Sequence, residues 1–156
     1  NEKVEISIPK IKIINREYIK NLSERALQDV EAGNLDSAIT KARTILEETF
    51  CYVIESKQET PTSSGNIHTL YKEVKELYNM HIDKDMDNRI KKMLSGLENI
   101  VQAVSEMRNN GSDSHGLGNR RINIAPYHAR LVVNSATIMA DFIISVAQAN
   151  KGVNNL

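Results

Sequence analysis

An arginine and a histidine stand seven positions apart in the run Arg108-Asn109-Asn110-Gly111-Ser112-Asp113-Ser114-His115-Gly116. The guanidinium is permanently charged and forks onto two oxygens of a phosphate or carboxylate. The imidazole, with an ordinary pKa near ~6.5, can take up or release a proton at neutral pH. Asn109, Ser112, Asp113 and Ser114 crowd further polar groups around the pair, and Gly111, Gly116 and Gly118 allow the tight turns that let a substrate come close. The apolar positions upstream, Ile90, Leu94, Leu97, Val101 and Val104, recur in steps of four and three, and the next step lands on Arg108. At ~100° per residue that places a cation on a stripe otherwise reserved for core. It is therefore expected in an inter-helix groove or a subunit interface, met by a carboxylate or a bound phosphate. A structural alternative stays open, with Arg108 on the carboxyl end of a neighbouring helix and His115 closing the loop.

The charge balance of the whole chain makes any polyanion site a local one. Twenty Lys and Arg match twenty Asp and Glu over 156 residues, which argues against a tail-driven nucleic-acid binder or a membrane-surface protein. Between positions 108 and 130, however, Arg108, Arg120, Arg121, Arg130, His115 and His128 face a single acid, Asp113. Elsewhere, Arg43 and Glu47 flank an apolar stripe four residues apart, as a surface pair or as support for Arg108 and His115. Asp141, alone in an apolar stretch, is a natural counter-charge for one of these arginines.

Five helices must position those groups. Ile19, Leu22, Ala26 and Val30 predict an amphipathic helix over about 17–31, ended by Gly33. Asn34 is placed to cap a second helix running to about Val53, and Asn66 a third carrying Leu70, Val74 and Leu77. Between the second and third lies a Thr, Ser and Pro-rich loop over 59–65. A long fourth helix begins after about Asp85 and is expected to stop near 108–110, since Asn110-Gly111 is a strong breaker. Pro126 suits the first turn of a last helix reaching about Ala149. That helix is apolar around most of its circumference, with a polar seam of Asn134, Thr137, Asp141 and Ser145, so it reads as central or dimer-buried. Val4, Ile6 and Ile8 alternate with polar residues ahead of Pro9, an edge strand or extended arm. The domain reading is thus an arm over 1–15, an all-α bundle over 16–150 and a tail over 151–156.

Several chemistries drop out on spacing. His68, His81 and His128 make no metal-spaced pair, so neither metal nor cofactor is expected. No Gly-rich loop follows a strand, which removes P-loop and Rossmann nucleotide sites. Residues 112–115 are too close in sequence to face one another as a Ser-His-Asp triad. The single cysteine, Cys51, sits in a helical pattern as inert packing and fits a reducing, cytoplasmic setting. The apolar run 131–147 is shorter than a bilayer span, no signal peptide opens the chain, and a start on Asn1 suggests a fragment with an upstream domain. Tyr71, Tyr78 and Tyr127 fit the rim of a core.

The run from Asn34 to Glu47, that from Met107 to Gly116 and that from Ala129 to Asn134 together resemble the abortive-infection protein C-terminal domain, part of the HEPN superfamily of helical ribonucleases. The likeness covers roughly 16–149. The superfamily motif is Arg and His separated by four to six positions, the first of them usually polar; Arg108, Asn109 and His115 match it with six. The resemblance implies Arg108 and His115 as a catalytic pair, Asn109 as an aid to site geometry, and Asp113, Arg43 and Glu47 as supporting residues. It implies RNA as substrate, cut without metal to a 2′,3′-cyclic phosphate in antiphage defence. It also implies a homodimer, expected here through the fourth and last helices, that brings two motifs to one cleft. Arg120, Arg121 and Arg130 would hold the RNA strand. Because relatives without activity serve as binding modules, a non-catalytic dimerisation or RNA-binding module for an upstream effector is the alternative expectation.

Overall fold

The computed structural model describes residues 14–62, 65–112 and 123–153, with side chains described for 14–62, 65–107 and 123–150. Its elements are α1 (Arg16–Glu31), α2 (Leu35–Glu55), α3 (Ile67–Leu77), α4 (Asn88–Ser112) and α5 (Pro126–Val153), with no strand among the described residues. The all-α bundle of five helices is the architecture that the apolar periodicity predicts.

Local chemistry accounts for most boundaries. The Asn15 side chain accepts a hydrogen bond from the Tyr18 backbone N–H at 2.9 Å and starts α1. At the other end Gly33 takes φ +81°, the Gly33 N–H donates to Val30 and the Asn34 N–H donates to Asp29. That double return is a Schellman closure, and only a residue free of a Cβ adopts it without cost. Asn34 does not cap α2 through its side chain; its backbone N–H serves the end of α1 while its carbonyl accepts from Ala38. Asn66 caps α3 as expected, accepting from His68 and Thr69. Asp87 does the same for α4 by accepting from Arg89 at 2.8 Å.

Two helices run past their expected ends. α4 continues through Asn110-Gly111 to Ser112. A glycine within a helix costs only about 1 kcal/mol, and about six preceding turns carry the helix through it. α5 reaches Val153 rather than Ala149. Its stretch Pro126–Asn150 is, by length and hydropathy, long enough to cross a membrane, which corrects the view that it is too short. Its buried face packs on α1, α2 and α4, and that packing accounts for its apolar character.

α2 and α5 form the centre, with α1 across both and α3 and α4 closing the other side. Ile45, Leu46, Phe50, Val53 and Ile54 of α2 meet Val133, Ala136, Met139, Ala140 and Ile143 of α5, all fully or almost fully buried. Phe50 stacks on Tyr71 with ring centroids 5.5 Å apart. Of the three tyrosines placed at the core rim, Tyr71 and Tyr78 are core, and the Tyr78 hydroxyl donates to the Val53 carbonyl at 2.6 Å. Tyr127 is 71% exposed, because it projects from the first turn of α5 before other helices cover it. The arm assigned to 1–15 is described only at its last two residues: Ile14 is in the core and Asn15 is the α1 cap.

Candidate functional site

α4 delivers Arg108 and Asn109 on its final turns, and Ser112 closes the helix just ahead of Asp113 and His115. The side chains of Arg108 and Asn109, together with all of Asp113, His115, Arg120 and Arg121, lie outside the described residues. What is described is the approach to them. Val101 and Val104, the two stripe positions before Arg108, are 0% and 2% exposed against the bundle. The first half of the same stripe behaves otherwise, since Leu94 and Leu97 are half-covered and Ile90 is 50% exposed. The unbroken core stripe expected from spacing is therefore core only along its carboxyl half, where α2 and α5 reach it.

α5 begins on the far side of the 113–122 segment with its own device. The Ala125 N–H donates to His128 Nδ1 at 3.2 Å, while the His128 and Ala129 N–H groups donate to the Ala125 carbonyl. His128, counted in the basic patch from sequence, thus closes the first turn of α5 in the manner of a capping box. Arg130 reaches Glu31 at 3.8 Å with both side chains well exposed, a contact worth little in water.

The supporting residues are placed differently from a surface pair. Arg43 is 6% exposed on the central helix, its Nη2 donates to the Gly65 carbonyl, and its Nε lies 3.9 Å from the Glu47 carboxylate. α2 contacts all four other helices, and Arg43 lies on its covered face. In the described contacts Arg43 ties the loop before α3 to α2. Among the described residues Asp141 is met by Arg16. Arg16 Nε donates to it at 2.6 Å, and the same guanidinium donates to Ser145 at 2.7 Å and Gln148 at 2.9 Å. The α5 seam thereby fastens the start of α1, with Thr137 within 3.0 Å of the Ser23 hydroxyl. Arg16 carried no sequence signal as a partner, since its three acceptors lie over a hundred positions away.

A second polar group lies between α3 and α4. Glu98 accepts from Lys75 at 2.7 Å and stands 3.0 Å from His68 Nε2. Burial works to raise its pKa, but the bonds and charges of Lys75 and His68 together outweigh it and hold the carboxyl below its ordinary value. Lys75 also sits 5.0 Å above the Tyr71 ring. Burial, and then the Glu98 charge, push the Tyr71 phenol up to about 12. The signal was present in the sequence, since His68, Tyr71 and Lys75 recur in steps of three and four along one helix face, but nothing there joined them to Glu98.

Cys51 is half-buried, and burial followed by nearby glutamates, Glu47 first, raises its thiol to about 11, which keeps it protonated and unreactive. Among the described residues no group of three or more His, Cys, Asp or Glu side chains could hold a metal ion.

No curated protein and no solved structure matches the chain. The family model of a HEPN-like domain, Abi_C, matches residues 17–147, from the first turn of α1 to the last turns of α5 and across the whole Arg108-to-His115 run. The five-helix bundle accords with it, and the chain belongs to the Abi_C family of HEPN-like domains.

Proposed function

We propose that this domain is a metal-independent endoribonuclease of an abortive-infection system, acting in the cytoplasm as a homodimer. The observation that carries the reading is the family match over residues 17–147, which encloses Arg108-Asn109 at the end of α4 and His115 just beyond it. Arg108 grips the scissile phosphate and stabilises the charge that builds on its oxygens, an effect of about 3–4 kcal/mol for one well-placed donor. The His115 imidazole of one copy takes the proton of the ribose 2′-hydroxyl, whose oxygen bonds to phosphorus as the bond to the 5′-oxygen breaks. The leaving 5′-oxygen takes a proton from His115 of the other copy. The products are a 2′,3′-cyclic phosphate and a 5′-hydroxyl. Asn109 and Asp113 hold the geometry, and Arg120, Arg121 and Arg130 add the positive charge that retains the strand.

One imidazole cannot be base and acid in the same step, so the chemistry asks for two copies. α5 offers a surface for that pairing. Tyr127, Leu131 and Ile138 are 71%, 63% and 66% exposed. Their spacings of four and seven put them on one face of the helix that follows the motif segment.

The test is incubation with single-stranded RNA in EDTA beside its 2′-deoxy counterpart. Cyclic phosphate ends form on the RNA alone, and both Arg108→Ala and His115→Ala lower the rate by about a hundredfold or more. Cutting of the deoxy strand, or activity that survives both substitutions, overturns the reading.

A further inference from the structure

The apolar pattern of α4 continues where the bundle does not. Ile90 and Met93 are 50% and 67% exposed at its start, and Ile82 on the connection before it is 51% exposed. Single exposed aliphatic side chains are ordinary on a folded surface, whereas a contiguous group of them marks an interaction site. This group runs into a groove. Leu94, one helical turn after Ile90 on the same face, joins Met80 and Ile82 in walling a cleft of about 430 Å³ between α3, the 78–87 connection and α4. Three of the five methionines of the chain, Met80, Met86 and Met93, also fall here. An unbranched, polarisable thioether repacks around anchors of different shape, which is why methionine is over-used on surfaces that hold amphipathic helices.

Shape and charge select the occupant. The exposed face belongs to a helix, whose backbone groups are already bonded along its own axis, so it offers no edge for an added strand. What fits is a second helix, with anchors in steps of three and four laid along Ile90, Met93 and Leu94 and one bulky anchor in the cleft. Positions 88–97 of α4 carry Arg89, Lys91 and Lys92 and no acid. Arg89 is engaged by Asp87 at 2.8 Å. Lys91 donates to the neutral Lys84 carbonyl at 2.8 Å and Lys92 is exposed, so both keep their charge for a partner. Glu98, the next acid along α4, is already held by Lys75 at 2.7 Å. A flat anionic membrane would also meet Asp83, Asp85 and Asp87 on the connection, which repel it. A helix about 10 Å across can follow α4 alone.

We infer that the first half of α4, together with the cleft beside it, docks an amphipathic helix of a partner protein whose apolar face is flanked by acidic residues. The surface is at the opposite end of α4 from the motif: Ile90 precedes Arg108 by eighteen residues, about 27 Å at the helical rise. The inference therefore stands apart from the ribonuclease reading.

The test uses protein carrying methyl-labelled methionine, titrated with three synthetic peptides of about 20 residues. Two share Leu and Phe anchors at helical spacing, one flanked by glutamates and one by lysines; the third is a scramble of the glutamate peptide with no apolar face. The glutamate peptide shifts the Met86 and Met93 methyl signals and leaves that of core Met139 in place. It binds at least about tenfold more tightly than either of the others, and its advantage over the lysine peptide shrinks as salt is raised. Ile90→Ser and Met93→Ser each weaken that binding, read at Met86, by about threefold to tenfold with unchanged melting. Lys92→Glu narrows the preference for the glutamate peptide. A Met93 signal unmoved by the glutamate peptide at about 1 mM, equal binding of the lysine peptide or the scramble, or binding that both serine variants retain in full overturns the proposal. So does a Met93 signal that moves with protein concentration in the absence of peptide, which assigns the face to a second copy. Short single-stranded RNA that moves Met93 at lower concentration than the peptide overturns it as well, by assigning the face to nucleic acid.

Discussion

The α2–α5 contact and the first half of α4 carry the same kind of apolar pattern and meet opposite surroundings. Ile45, Leu46, Phe50 and Ile54 are almost completely covered, as are Met139 and Ile143 across from them. Ile90 and Met93, spaced just as a core helix requires, are 50% and 67% exposed. Both segments are helical, so the pattern has done its local work in each. The difference is in the neighbours: α2 lies among four helices, whereas α4 spans about 37 Å at the helical rise and its first turns extend past the partners that cover Val101 and Val104. An apolar stripe therefore specifies which face a helix can bury, and the other elements decide how much of it is buried.

Substitutions at the two ends of this contrast should differ widely. Phe50→Ala removes a fully covered ring stacked on Tyr71 and is expected to cost about 3–5 kcal/mol in chemical unfolding. Arg43→Ala, which releases the Gly65 carbonyl from the buried guanidinium, should cost about 1.5–3 kcal/mol. If it costs nothing, the loop before α3 does not depend on that anchor. Glu98→Gln probes the intermediate zone through pH. The Glu98 carboxyl is held below its ordinary value of 4.5 in the fold, so its contribution is fully present above that pH and is lost as pH falls through the lower folded value. The substituted protein should accordingly show a flatter loss of stability below about pH 4.5 than the parent. An identical acid limb would remove the Lys75–Glu98–His68 group from the stability account. At the small end, Ile90→Ser and Met93→Ser should leave stability within about 0.5 kcal/mol. A concentration-dependent loss well beyond that would break the comparison, since it would mean that a second copy covers the start of α4.

The arginines divide along the same line. Arg43 and Arg16 both lie outside the Arg108-to-His115 run; spacing reveals Glu47 beside Arg43 but neither the Gly65 carbonyl that Arg43 reaches nor any partner of Arg16. Arg43 reads from sequence as one half of an i,i+4 surface pair with Glu47, and that reading needs only one helix face. In the fold its Nη2 turns to Gly65, because Arg43 falls on the covered face of α2 at 6% exposure. Asp141 was recognisable as a carboxylate in need of a cation, but the choice of Arg16 rests on α1 crossing α5 at that seam. Helix ends, by contrast, were largely legible. The stops and starts at Gly33, Asn66 and Pro126 depend on residues within five positions of one another. The exceptions were Asn34, whose backbone was already engaged by α1, and the Asn-Gly pair that α4 runs through.

The sequence by itself determined the five helices, the faces they can bury, the family and the Arg108-x6-His115 arrangement, because each is written in local propensity and in spacings of a few residues. Only the tertiary structure decided which stripe positions are core, which carboxylate meets which arginine, and that Tyr71, Asn99 and Met80 line one groove beside the Lys75–Glu98 pair. Those outcomes depend on helices distant in sequence arriving side by side, and the periodicity of a single helix carries no record of its neighbours.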